Sequence, residues 1–347
     1  MPYLVFLKRD RIDSQIGVAK DDFEQQARTG PGHRTRSLDQ FYYHSLSGND
    51  IKGRDENQVV TRYLIGGKNG DGVDRSRPWW PILGVDQLWL WVIDDETIIT
   101  SSTCRPDGYE DPVIEGIFNH LREVKSKKKG RPLPSSVNQM SKFIVSFCID
   151  FINTATWKGS SPDDLARPEY SQKSVKSVRE IFSETVNSKA VEEKDLFASF
   201  KRKMDKARRR DERRKIVKAK KTQIKQGDTK PENGQREVEK PSEEGNKPHE
   251  APAKLLLHGE PDENENWASI SKAADLLDEV KDIRDELTIL KAILTQQDHV
   301  LADIQRSPLH PNSERRSHYM LTEINEMIEI TDTIKSSVCS SYCFRNA

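Results

Sequence analysis

Three consecutive carboxylates, Asp94, Asp95 and Glu96, follow an apolar run that holds two tryptophans two residues apart, Trp89 and Trp91. Hard cations take oxygen ligands, so the triplet is the chain's candidate for holding Mg²⁺. The tryptophans could stack bases or a planar ligand. A plainer account fits both features. Leu88, Leu90 and Val92 alternate with Trp89, Trp91 and Ile93, so both faces of a strand are apolar, as in a central strand covered on each side. Asp is favoured in turns because its side chain bonds nearby backbone, and TIIT at 97–100 is a second β-branched run. Strand, acidic turn and strand make a hairpin, a reading that outweighs both the stacking platform and the metal site.

The second stretch with chemistry in it is KRKMDKARRRDERRKIVKAKK, residues 201–221. Residues 201–225 carry fourteen basic and three acidic side chains, although the whole chain has as many Lys and Arg as Asp and Glu. Lys201, Arg202, Lys203, Arg208, Arg209, Arg210, Arg213, Arg214 and Lys215 form a basic patch that suits anionic lipid, nucleic acid or an import receptor. The run has no aromatic residue, which argues against base stacking, and its plainer reading is a solvated charged helix. The four cysteines, Cys104, Cys148, Cys339 and Cys343, have no CxxC spacing, and His310 and His318 are not at finger spacing from the last pair. No Ser/His/Asp or Cys/His grouping can be defended from spacing, and His44 reads as a helix-surface residue, so the chain reads as no enzyme and requires no cofactor beyond the candidate Mg²⁺.

These residues need elements to hold them. The sequence predicts a loosely ordered segment over 1–35, with a GPG breaker at 30–32, then an α/β domain over 36–204. Within that domain SLDQFYYHSL reads as a short helix capped by Ser37 or Asp39, and QVVTRYLI, 58–65, reads as a strand. PVIEGIFNHLREV, SSVNQMSKFIVSFCIDFI and the stretch 174–204 read as helices, and a basic helix occupies 205–225. Residues 226–264 are rich in Pro, Glu, Lys and Gly and read as a disordered linker. Over 265–340 Leu276, Val280, Ile283, Leu287, Leu290, Leu294, Gln297 and Leu301 alternate steps of three and four, a seam of coiled-coil grade. Met320, Ile324, Met327, Thr331, Ile334 and Val338 repeat the pattern after Pro308 and Pro311, and a tail over 341–347 follows. The fold class is therefore α+β: an α/β N-terminal domain with a mixed sheet, followed by a long antiparallel helical hairpin or coiled coil. The seam serves either a homo-oligomer or packing inside the hairpin, with Gln297 as a register-fixing polar residue. No stretch approaches the roughly 18 apolar residues of a membrane helix. A reducing, cytoplasmic setting fits the cysteines, with a nuclear one as the alternative reading for the basic run.

SLDQFYYHSL, RDENQVVTRY and VDQLWLWVIDDETIITS, with DEVKDIRDELTILKAILTQQDHVL further on, resemble the cytosolic part of fungal CorA-like metal-ion transporter proteins, which often carry ankyrin repeats upstream. The resemblance implies a soluble α/β domain, long helices, and then two membrane helices with a Gly-Met-Asn signature. This chain has no Gly-Met-Asn and ends in CSSYCFRNA, so the expectation is a truncated, pore-less relative that does not itself transport ions. The role this implies is assembly, with divalent-metal sensing as an addition. The other reading is a scaffold that meets nucleic acid through residues 201–221.

Overall fold

The computed structural model describes residues 1–10, 35–43, 45, 48–65, 79–102, 112–126, 133–154, 176–227, 263–305 and 314–343. The described residues are mostly helical, with one small antiparallel sheet. The strands are β1 (Pro2–Asp10), β2 (Arg36–Ser37), β3 (Trp79–Val92) and β4 (Ile98–Ser102). The helices are α1 (Leu38–Tyr42), α2 (Gly48–Asn57), α3 (Val59–Ile65), α4 (Pro112–Ser126), α5 (Val137–Thr154), α6 (Val178–Gly227), α7 (Glu263–Gln305) and α8 (Glu314–Cys343). The chain divides into two units, one of Met1–Glu192 with Leu276–Ala347 and one of Glu193–Asp275. The GPG breaker, His44 and nearly all of the predicted linker lie outside the described residues, as do Cys104 and His310.

Strand β3 organises the first unit. Its first nine residues pair along the whole of β1, from Pro2↔Gln87 to Asp10↔Trp79. Val85 and Gly84 also pair with β2, and Leu88–Val92 pair with β4. All these pairings are antiparallel, which corrects the expectation of a mixed sheet. Gly84 sits where the backbones crowd. A Cβ there would meet the side chain of Leu7 and, at 3.0 Å, the carbonyl oxygen of Arg36.

The first ten residues are not a loose segment. Tyr3, Leu4 and Val5 of β1 are buried, and the strand is an integral member of the sheet. The apolar run of 3–7 is strand-sized, and its length, too short for a helix, was the legible signal. Residues 59–65 depart from prediction in the other direction: the β-branched stretch is helix α3, with Val59, Val60, Thr61 and Ile65 buried. Side chains here do what a neighbouring strand would do. Gln58 Nε2 donates to the Leu83 carbonyl at 3.2 Å, and its Oε1 accepts from the Leu83 N–H at 2.7 Å. Thr61 Oγ1 donates to the Pro81 carbonyl at 2.7 Å. The Leu83 and Pro81 backbone groups of β3, beyond the two residues of β2, are satisfied in this way, and the tertiary setting overrides the local β preference.

The apolar core joins this sheet to the helices of the same unit. Phe6 of β1 meets Phe151 of α5 with ring centroids 5.7 Å apart, and Val145, Cys148, Ile149 and Ile152 bury the same face of α5. Val178, Ile181, Phe182 and Val186 from the start of α6 join them, as do Ile283, Leu287, Leu290, Leu294 and Leu301 of α7 and Met320, Ile324 and Met327 of α8. Each such side chain contributes about 1.5–3 kcal/mol when removed from water. Helices α7 and α8 run antiparallel: Arg284 lies about as far before their connection as Asp332 lies after it, and Arg284 Nε donates to Asp332 at 2.6 Å. The seam Leu276, Val280, Ile283, Leu287, Leu290, Leu294, Gln297 and Leu301 is buried within this one chain. That corrects the reading of the seam as a surface offered to a partner copy: its apolar face is already occupied. Ile289 and Ile293 are buried as well, so α7 is covered over more of its circumference than a heptad seam alone requires.

Candidate functional site

The hairpin that closes β3 carries the first group of candidate residues. Asp94 Oδ1 accepts the Glu96 N–H at 2.9 Å, an Asx-type turn. Hydrogen bonds from the backbone of Glu96, and then from Thr97, hold the exposed Asp94 carboxyl below the usual carboxylate range. Asp95 and Glu96 are exposed beside it, and among the described residues no group of three or more His, Cys, Asp or Glu is placed to hold a metal ion. Trp89 is half-buried, but Trp91 is 48% exposed and Ile93 59% exposed. The strand is therefore not covered on both faces along its whole length. β1 and β2 flank β3 only up to Gln87, and beyond Leu88 the pairing partner is β4. Trp91 lies directly opposite Ile99, itself exposed, so an apolar strip stands open on one face of the hairpin.

The basic run forms part of α6. From Met204 to Lys220 every side chain is exposed. Lys203 is the exception nearby: it is half-buried and donates to Ser269 Oγ at 2.6 Å. Arg202 Nε turns back onto the Ala198 carbonyl at 3.2 Å, and Arg208 pairs with Glu212 one turn on at 3.3 Å. Lys201, Arg209, Arg210, Arg213, Arg214 and Lys215 stand in solvent along the same helix. What the structure brings together here is charge without an apolar stripe. Ile216 and Val217 are exposed and adjacent, and so face directions about 100° apart.

A third group has no motif in the sequence. Glu286 of α7 is buried, and its carboxylate accepts the N–H of Val59, the first residue of α3, at 2.9 and 3.2 Å. Burial pushes its carboxyl well above the usual range, while the Val59 N–H and Arg62 act in the opposite direction. Asp39 of α1 is buried too and accepts Arg54 Nη1 at 2.8 Å; burial raises its carboxyl and Arg54 opposes the rise. Asp282 is raised by burial, with Arg62 and Arg54 lowering it. Arg54 also lies over the Tyr43 ring, 4.9 Å from its centroid. Four helices thus meet through carboxylates and arginines in the middle of the first unit. The heptad reading missed Glu286 because it lies one residue off the seam; a carboxylate one step before Leu287 was the available signal.

Among the described residues there is also an open cleft of about 380 Å³, lined by Lys176, Arg179, Glu184, Asn187, Glu323 and Glu326. Its charges answer one another. Arg179 Nη1 donates to both oxygens of Glu323 at 2.8 and 2.9 Å, and Lys176 pairs with Glu184. Cys148 is buried in the core and Cys339 is exposed. No helix among the described residues is long and apolar enough to cross a membrane. Compared with known proteins, the chain matches no family model, no curated protein and no solved structure.

Proposed function

We propose that the chain is a relative of the cytosolic part of CorA-like metal-ion transporters and works as an assembly module. The observation that carries this reading is the way the separated motifs of the resemblance interlock. Ser37 caps the helix of SLDQFYYHSL and accepts from the Gln40 N–H. Gln58 of RDENQVVTRY holds Leu83, two residues before VDQLWLWV, and Glu286 of DEVKDIRDELTILKAIL holds Val59. Residues spaced from 37 to 286 serve one another, so the separated motifs of the resemblance belong to one folded unit. The apolar surface open at Trp91, Ile93 and Ile99 supports assembly, because patches of that kind mark contacts with other chains. The metal-sensing part of the reading rests on the resemblance alone. Light scattering coupled to size exclusion, with and without millimolar Mg²⁺, tests both parts. A mass above the monomer agrees with assembly, and a shift with Mg²⁺ agrees with sensing. A monomer at every concentration, blind to Mg²⁺, removes the proposal.

A second reading has its own observation. The exposed, strongly basic stretch of α6 from Met204 to Lys220 supports a scaffold that binds a polyanion, and its test is retention on an anionic matrix that is lost when residues 201–221 are neutralised.

A further inference from the structure

We infer that α6 binds duplex DNA by lying in the major groove along one face, between Lys206 and Lys220. This rests on the polyanion reading and narrows it to one partner and one surface. The observation is the distribution of charge around the helix. At about 100° per residue, Lys206, Arg209, Arg210, Arg213, Arg214, Lys218 and Lys220 fall in one half of the circumference with no acidic residue among them. The other half carries Arg208 and Lys215 against Asp211 and Glu212, so it has no net charge. The charge excess of the segment is therefore all on one side, over about 21 Å of helix.

The shape of that side selects the partner. Arg209, Arg213 and Lys220 line one margin, Arg214 and Lys218 line the other, and Lys206 and Arg210 lie between. A major groove is about 12 Å wide, admits a helix, and raises a row of phosphates on each side of it. Cations at both margins meet both rows, and arginine forks suit phosphate oxygens. A flat bilayer meets only the middle of such an arc. Stable membrane attachment by charge also needs a second, apolar signal, and the stretch of α6 from Lys206 to Lys220 has no apolar stripe. The apolar hairpin at Trp91 and Ile93 ends in Asp94, Asp95 and Glu96, which an anionic headgroup layer repels. A-form RNA has a major groove too deep and narrow for a helix. The absence of aromatic residues between 201 and 225 removes stacking on single strands.

The test uses the full chain and a fluorescently labelled B-form duplex of roughly 20 base pairs with arbitrary sequence, read by anisotropy between about 50 and 200 mM salt. With five to seven phosphates neutralised, the slope of log K against log salt is expected at about −5 to −6. The triple variant Arg210→Glu, Arg213→Glu, Arg214→Glu should lose about 100-fold or more in affinity. The variant Lys201→Glu, Arg208→Glu, Lys215→Glu changes net charge by the same amount on the rear face and should stay within about fivefold of the original. Glu is a good helix former, and circular dichroism of both variants checks that the helix persists. Equal loss in the two triples overturns the face, as does duplex RNA bound as tightly as DNA. Binding to phosphatidylserine vesicles without binding to DNA overturns the partner while leaving the polyanion reading standing. Binding to none of the three removes both.

Discussion

Glu286 places a carboxyl where water does not reach, and its energetic consequence has a sign that can be worked out. Its pKa in the fold lies well above the ordinary value because burial disfavours the charged form. Between the ordinary value and the raised one the folded state binds more protons than the unfolded chain, so stability falls as pH rises through that window. Asp39 and Asp282 are raised for the same reason and add in the same direction. Asp94, Glu180 and Glu184 are lowered, and their contribution is lost only as pH falls below the ordinary carboxyl range. The urea midpoint is therefore expected to drop from pH 5 to pH 8. Glu286→Gln should flatten that dependence and raise the midpoint at pH 8, since an amide oxygen can still accept the Val59 N–H. A variant with the original slope would show that Glu286 does not hold the proton.

At the scale of elements, β3 is served by unlike neighbours along its length, and two predictions separate them. Gln58 satisfies both backbone groups of Leu83 in a buried place. Gln58→Ala leaves a donor and an acceptor unpaired, and urea unfolding is expected to show a loss of about 2–4 kcal/mol. Trp91 stands beyond the flanking strands, so Trp91→Ser should change the same measurement by less than about 0.5 kcal/mol. The two results together distinguish a buried first half of the strand from an exposed second half. The hairpin itself was legible in the sequence, because alternation ending in Asp and resuming in TIIT is a local signal. The helix at 59–65 was not. Its β-branched composition points to a strand, and only the approach of Leu83, Pro81 and Glu286, all distant in sequence, makes it a helix. Sequence could likewise supply the charge of α6 and the period of α7, but not which face of α7 the sheet would claim.

For the molecule as a whole, the seam of α7 belongs to the fold before it belongs to any assembly. Leu287 is fully buried among side chains of the same chain. Leu287→Ala is expected to lower unfolding free energy by about 2–5 kcal/mol, read by urea unfolding at high dilution. Unchanged stability there, with only the molecular mass reduced, would return the seam to the role of a contact between copies. Register within the molecule is set by polar tethers of very long span. Gln297 Nε2 donates to the Pro2 carbonyl at 2.9 Å, so a residue that a coiled coil would use to align two helices instead locks α7 to the first strand.

That tether fixes an order of events on the ribosome. Translation proceeds at about 5–20 residues per second, so Pro2 waits about 15–60 seconds for Gln297 to be made. Glu286 reaches Val59 only shortly before, and the first-born strand is thus among the last parts of the protein to be finished. Throughout that interval Tyr3, Leu4 and Val5 lack part of their eventual cover and are open to chaperones and proteases. Nascent chains arrested before residue 276 should be cut near β1 by a broad-specificity protease, and chains arrested well beyond residue 301 should resist. Equal resistance at both arrest points would mean that the N-terminal sheet matures without α7.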